Sequence, residues 1–303
     1  MVKNKTLKNK KSIINLFSFW HLGDAIFVMI YLYNSKDYIM KHNITVNFYI
    51  KEKHVNQIKE FECCKNVHVL PIIFDKDCNQ NIFNGALKIL NDVLLDFDLC
   101  TTNIPRNAIN TFHGTHSLIH YFLLDLNMFK WNENIKPLNE YLVYYLSNIL
   151  GKKIGFPKIK KFSYTDPDLL KRYNHFPEKY KNIDVLIINS KPQSFQFDLE
   201  SNYKEFNSMI HKLSKKYNIV TTEKINGILC TRDNNLSLKD IGAISTHAKY
   251  IIAINTGPLI PCLNTYALKH VKKWFEFDTR MPFIYNNFYI NKSFNEILEQ
   301  LDV

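Results

Sequence analysis

Ile13-Ile14-Asn15-Leu16-Phe17-Ser18-Phe19, followed by Trp20-His21-Leu22-Gly23-Asp24, decides the fold. A short run of β-formers ends in a polar turn. From Ala25 to Lys41 the apolar residues then recur at helical intervals with no Pro or Gly. Further out, Ile44 to Ile50 reads as a strand, Lys53 to Phe61 as a short helix and Val67 to Leu70 as a third strand. A β-loop-α-β-α-β order implies a parallel sheet with helices on both faces.

The alternation lapses in the middle. Gly85 to Leu95 reads as a helix, Asp98 to Thr102 as a strand and Asn103 to His116 as a polar loop. Helical stretches Ser117 to Asn127 and Leu138 to Leu150 follow. Residues 151–181, with Pro157, Pro167 and Pro177, read as a linker. The pattern restarts at Asp184 to Ser190, a buried-strand run. A helix from about Asn202 to Lys216 comes next, then a strand from Asn218 to Glu223 and a helix from Leu238 to Ala248. Ser237 and Asp240 open that helix as an approximate capping box. The strand Tyr250 to Ile254 stops at Asn255-Thr256-Gly257-Pro258, a helix is expected through Leu268, and Ser293 to Leu301 is the last helix. The expected organisation is a basic flexible tail over 1–12, a Rossmann-like domain over 13–150, the linker over 151–181 and a second Rossmann-like domain over 182–303.

Length and composition agree with two globular domains: 303 residues, 46% hydrophobic and 22% charged. The apolar runs fall short of the roughly 20 residues of a membrane span. The N-terminus MVKNKTLKNKK has the basic start of a signal peptide without its apolar core, so the expected location is cytoplasmic. Its lysines suit either a solvated tail or an anionic membrane surface. None of the six cysteines forms a CxxC, and reduced thiols are expected. Net charge is +11, which invites phosphate-bearing partners. Arginine, however, stands only at 106, 172, 232 and 280, and base-edge readers need its fork. Nucleic acid is therefore disfavoured, and the Lys, Asn and Ile richness points to an AT-rich genome.

Chemistry concentrates at strand ends, where open α/β sheets bind ligands. Asp24 falls in the first helical turn after the first strand, where it is either a helix cap or a catalytic carboxylate. Asn255, Thr256 and Gly257 form a strand-to-helix turn that either binds an anion through free amides or merely connects, and Pro258 suits the first helical position. Asn189, Ser190 and Lys191 end the first strand of the second half, where the lysine either reaches a diphosphate or is a surface charge. Glu223 ends the next strand, where an acidic residue accepts from ribose hydroxyls or is simply solvated. The loop with Arg106, His113, Thr115 and His116 contacts an acceptor or is plain loop; its H-x-x-H lacks a third metal ligand. No G-x-G-x-x-G, Walker A, G-x-S-x-G or H-E-x-x-H occurs. That argues against dehydrogenases of the dinucleotide-fingerprint type, P-loop NTPases, α/β-hydrolases and zincins.

Asn15 to Ile30, a strand entering an L-G-D turn and an apolar helix, resembles the N-terminal signature of the heptosyltransferase-like glycosyltransferases, glycosyltransferase family 9. Leu236 to Ile241 and Ala248 to Pro258 are similar to that family's second signature, an apolar strand ending in D-[ST]-G-x-x-H. Asn255 stands for its acid and Ile260 for its His. The resemblance implies a GT-B fold, two Rossmann-like domains facing across a cleft. It implies inverting, metal-independent transfer of a hexosyl or heptosyl group from a nucleotide-sugar to a glycan or glycolipid acceptor. Asp24 would be the general base. Lys191, Ser190, Glu223, Asn255, Thr256 and Gly257 would bind the donor; Gly23, His21, Arg106 and His113 would face the acceptor. Two other readings stay open. One is a GT-B transferase acting on nucleic acid or another large anionic acceptor, motivated by the charge. The other is a catalytically degenerate GT-B binding protein, motivated by Asn255 and Ile260.

Overall fold

The computed structural model describes residues 12–18, 21–74, 102–111, 162–192, 197–277 and 288–303, with isolated positions between 143 and 159. The described residues form two compact units. Residues between 12 and 111 and between 146 and 159 make unit 1, and those from 162 onward belong to unit 2.

Unit 1 opens with β1 (Ser12–Ser18), α1 (Leu22–Asn34) and α2 (Lys36–Lys41). It continues with β2 (Ile44–Ile50), α3 (Glu52–Lys59), β3 (Val67–Pro71) and the short β4 (Ile109–Asn110). The sheet is parallel in the order β3-β2-β1-β4. Pairing of Ser12 with Ile44 through Ser18 with Ile50 fixes the β1–β2 register. β2 is buried at six of its seven positions, as a parallel strand covered on both faces must be. α1 buries every residue from Ala25 to Leu32, which explains a helix so apolar all round. The single helix expected over 25–41 is two helices. The chain breaks at Ser35, whose N–H bonds both Tyr31 O and Leu32 O, after the weak helix formers Asn34 and Ser35.

Unit 2 contains α4 (Pro167–Asn174), β5 (Val185–Ile188), α5 (Leu199–Leu213), β6 (Ile219–Thr221) and β7 (Leu229–Cys230). Next come α6 (Leu238–Ser245), β8 (Tyr250–Ile254), α7 (Thr265–His270), β9 (Lys273–Phe277), β10 (Phe288–Ile290) and α8 (Phe294–Gln300). Its sheet is also parallel, in the order β10-β9-β8-β5-β6-β7. Counted along unit 2 this is the doubly wound 3-2-1-4-5-6 order, and the direction of winding reverses between β5 and β8. In unit 1 the corresponding reversal lies between β1 and β4. Phe206, Met209, Ile210 and Leu213 of α5, spaced at helical intervals, pack with Ile297, Leu298 and Leu301 on Val185, Ile187, Ile252, Ile254, Phe275 and Phe277. The alternate residues Leu186, Ile188, Ile251 and Ala253 are buried too, so both sheet faces are covered.

The stretch read as linker carries α4. Asp166 caps it by accepting from the Asp168 N–H, and Pro167 takes the first turn. The helix expected through Leu268 is not continuous. A 3-10 turn, Gly257–Cys262, follows β8, and α7 begins only after Asn264 caps it through the Ala267 N–H. Pro258 and Pro261 remove two backbone donors from that stretch, which prevents a regular α-helix. The helices expected over Gly85 to Leu95 and Ser117 to Asn127 and most of the Leu138 to Leu150 segment lie outside the described residues, as does all but Thr102 of the strand expected over Asp98 to Thr102. Among the described residues no helix is long and apolar enough to cross a membrane.

Candidate active site

Asp24 is the third residue of α1, and His21 is the N-cap with extended backbone. The Asp24 carboxylate accepts from the backbone N–H groups of His21 and of Asp24 itself. That is the reciprocal half of a capping box, and His21 returns no side-chain cap. Asp24 is half-buried, and desolvation of its carboxyl pushes the pKa up to about 7, against the two amide bonds, which favour the charged form. The cap and the base are therefore compatible in one group. The carboxylate is held by amides, and it ionises near neutrality, where a general base works best.

Basic residues lie at the start of α3, which packs against α1. Lys51 is the N-cap of α3, directly after β2. His54 is pushed down to about 4, first by burial and then by Lys53, Lys51 and His21, and the Lys51 ammonium is depressed by burial and Lys53. Nothing in the sequence marks Lys51 and His54, because only the β1–β2 pairing brings the ends of those strands together. Thr111, just past β4, fastens the other side of β1 through its amide and its hydroxyl, each 3.0 Å from Phe17 O. Gly23 lies inside the first turn of α1, so the tight turn expected there falls before it. Arg106 is exposed in the stretch before β4, which Asn103 ties to β3 through Pro71 O and the Ile73 N–H. His113 lies outside the described residues.

In unit 2 the carboxyl ends of β5 and β6 carry a connected polar cluster. The Asn189 Oδ1 accepts from the N–H groups of Thr222 (3.1 Å) and Glu223 (2.8 Å), and its Nδ2 donates to Glu223 O at 3.2 Å. Ser190 Oγ meets Thr222 Oγ1 at 3.1 Å and donates to Glu223 Oε1 at 3.3 Å. The Arg232 guanidinium, in the 3-10 turn after β7, pairs with the same Oε1. Lys191 is 65% exposed and paired with Glu200 at the start of α5. Thr256 caps the 3-10 turn after β8 with its backbone, and its hydroxyl donates to Ile254 O at 3.2 Å. Asn255 is buried and bonds Phe277 O through its N–H at 3.1 Å. Because β5 and β8 are neighbours at the reversal, Asn189–Lys191 and Asn255–Gly257 leave the sheet side by side. The turn after β8 is a six-residue 3-10 segment, so only its individual donors, not a helix dipole, are available to an anion. The cross-strand bonds of Asn189, and the parts of Thr222 and Arg232, are not visible in the sequence because each acts between strands. Among the described residues no cluster of His, Cys, Asp and Glu could hold a metal ion.

Two doubly wound units in one chain, each with polar groups at its winding reversal, define the GT-B class of fold. Within that class the chain is similar to the E. coli heptosyltransferase WaaC solved with ADP-2-deoxy-2-fluoro heptose. The TM-score is 0.56 at 12% identity, over 96% of this chain and 99% of that one. The same protein with ADP gives 0.55 at 11% over the same shares. The E. coli ADP-heptose lps heptosyltransferase II gives 0.51 at 9%, over 95% of this chain and 97% of that one. At such identities what is shared is the fold. No protein-family profile and no curated protein matches the sequence.

Proposed function

We propose that this protein is a glycosyltransferase that moves a sugar from a nucleotide-sugar to an acceptor hydroxyl, with inversion and without a metal. Asp24 carries the reading. It is a carboxylate at the winding reversal of unit 1, fixed by two amides and desolvated until it titrates at about 7. In the proposed step Asp24 takes the acceptor hydroxyl proton. The acceptor oxygen attacks the anomeric carbon from the face opposite the leaving group. The bond from that carbon to the phosphate oxygen breaks, and the electron pair leaves with the nucleoside diphosphate. In unit 2, Glu223 would accept from the ribose, Thr256 and Gly257 would meet the diphosphate, and Lys191 would exchange Glu200 for a phosphate oxygen. Developing charge on the leaving group is the largest electrostatic demand of such a reaction, and oriented donors with a lysine answer it. The bound ADP ligands of the WaaC structures are consistent with a nucleotide donor.

Asp24→Asn tests this. The variant should bind nucleoside diphosphate as the wild type does and lose roughly 10²–10⁴ in turnover, the usual share of a positioned base. The wild-type rate should rise with pH through about 7, as Asp24 ionises. Full turnover in the variant would reject the base; loss of donor affinity along with turnover would make Asp24 structural.

A further inference from the structure

The carboxylate of Glu223 is held unevenly. Both protein donors, the Ser190 hydroxyl and the Arg232 guanidinium, converge on Oε1. Among the described residues no donor reaches Oε2, and the side chain is 32% exposed. Its backbone is equally constrained: one side chain, Asn189, both accepts from the Glu223 N–H and donates to its carbonyl. A freely solvated carboxylate at a strand end needs none of this. A carboxylate with a fixed backbone, one satisfied oxygen and one open oxygen is an oriented acceptor. Arg232 also offsets the charge of Glu223, which would otherwise repel an anionic ligand beside it.

We propose that Arg232 is a positioning residue of a ribose site: with Ser190 it pins Glu223 Oε1, so that Oε2 stands ready for a ribose hydroxyl of the nucleotide. The inference rests on the nucleotide-sugar reading above and adds the group that sets the sugar preference of the site. A vicinal diol matched to one fixed oxygen is distinguished from a deoxyribose by the hydrogen bond the latter cannot make, and an unpaired charged acceptor makes that loss large.

The test uses the full-length protein and the nucleoside diphosphates ADP, UDP, GDP and CDP. Each is compared with its 2′-deoxy and 3′-deoxy counterparts by calorimetric titration at fixed salt. The wild type should prefer at least one ribonucleotide over a deoxy counterpart by roughly 10–100-fold, the worth of one hydrogen bond to a charged group. Arg232→Met and Ser190→Ala should shrink that preference, Arg232→Met to within about threefold, chiefly by weakening the ribonucleotide. Arg232→Lys should restore part of it, because a single cation still reaches Oε1. Arg232 is 62% exposed, so folding should survive its replacement, and an unchanged circular dichroism spectrum checks this. A full ribose preference retained in Arg232→Met overturns the positioning role while leaving nucleotide binding intact. Equal wild-type affinity for ribo and both deoxy forms overturns the ribose site. No binding of any nucleotide by the wild type overturns this inference together with the reading it rests on.

Discussion

At the scale of the residue, Asp24 joins two demands in one carboxyl. As the third residue of α1 it satisfies helix-end amides, and its burial makes the charged form expensive. Its folded pKa of about 7 stands above the ordinary 3.8, so between those values the folded chain keeps a proton that the unfolded chain has lost. Its contribution to stability is therefore full below about 3.8, declines as pH rises and levels off above about 7. Asp24→Asn removes the titration but keeps an oxygen for the amides. Its melting temperature relative to the wild type should climb between pH 4 and 8 and then flatten, as thermal unfolding in a pH series would show. A difference that ignores pH would mean that the carboxyl is solvated in the folded protein. The place of Asp24 could be read from the sequence, since a strand, a polar turn and an apolar helix leave it little choice. Its titration could not, because that depends on how far the folded chain desolvates the carboxyl.

Among the elements, the turn after β8 is held by α6. Gly242 of α6 lies so close to Pro261 that a Cβ would stand 2.9 Å from the Pro261 Cβ and 3.0 Å from its carbonyl oxygen. Asn264 fixes the same crossing, donating to Ser245 Oγ at 2.9 Å and Pro261 O at 3.0 Å. Gly242→Ala gains helix propensity but must displace backbone, and a net loss of about 1–3 kcal/mol is expected in urea unfolding. A stabilised variant would mean that the crossing yields. α6 is also tied to α4: the Lys239 ammonium lies 2.9 Å from Asp166 and 3.0 Å from Asp168, with Lys239 and Asp166 under a tenth exposed. Arg172 bridges Asp168 and Asp240, each at 2.9 Å. Lys239→Met takes the cation from the buried Asp166 carboxylate, which keeps its hydrogen bonds from the Tyr164 hydroxyl and the Asp168 N–H, and should cost about 3–5 kcal/mol, whereas a surface pair would cost under about 1. The sequence shows Ser237 and Asp240 as a cap, and both capping bonds form. It does not show α4, because a Pro- and Lys-rich stretch reads as linker until its ion-pair partners, Lys239 and Asp240, arrive from far along the chain. β9 is hidden for a related reason. Lys273-Trp274-Phe275-Glu276-Phe277 is buried on both faces and so lacks the alternation that marks a half-exposed strand.

For the molecule as a whole, the doubly wound order of each unit follows from the βαβ succession, and the two winding reversals follow from the order. Asp24 falls at the reversal of unit 1, and Ser190, Asn255 and Thr256 at that of unit 2, with Glu223 one strand further on, which is the distribution expected when acceptor activation and donor binding are divided between domains. Lys51 and Lys53, at the start of α3, carry part of the +11 charge on the element that packs against α1. The measurement that bears most directly on the central claim is release of nucleoside diphosphate from a panel of ADP-, UDP-, GDP- and dTDP-sugars, followed side by side in the wild type and in Asp24→Asn. One donor should be cleaved by the wild type, at a rate rising through pH 7, and be bound but left intact by the variant. Equal cleavage by both proteins, or a panel that neither binds nor cleaves, would contradict it.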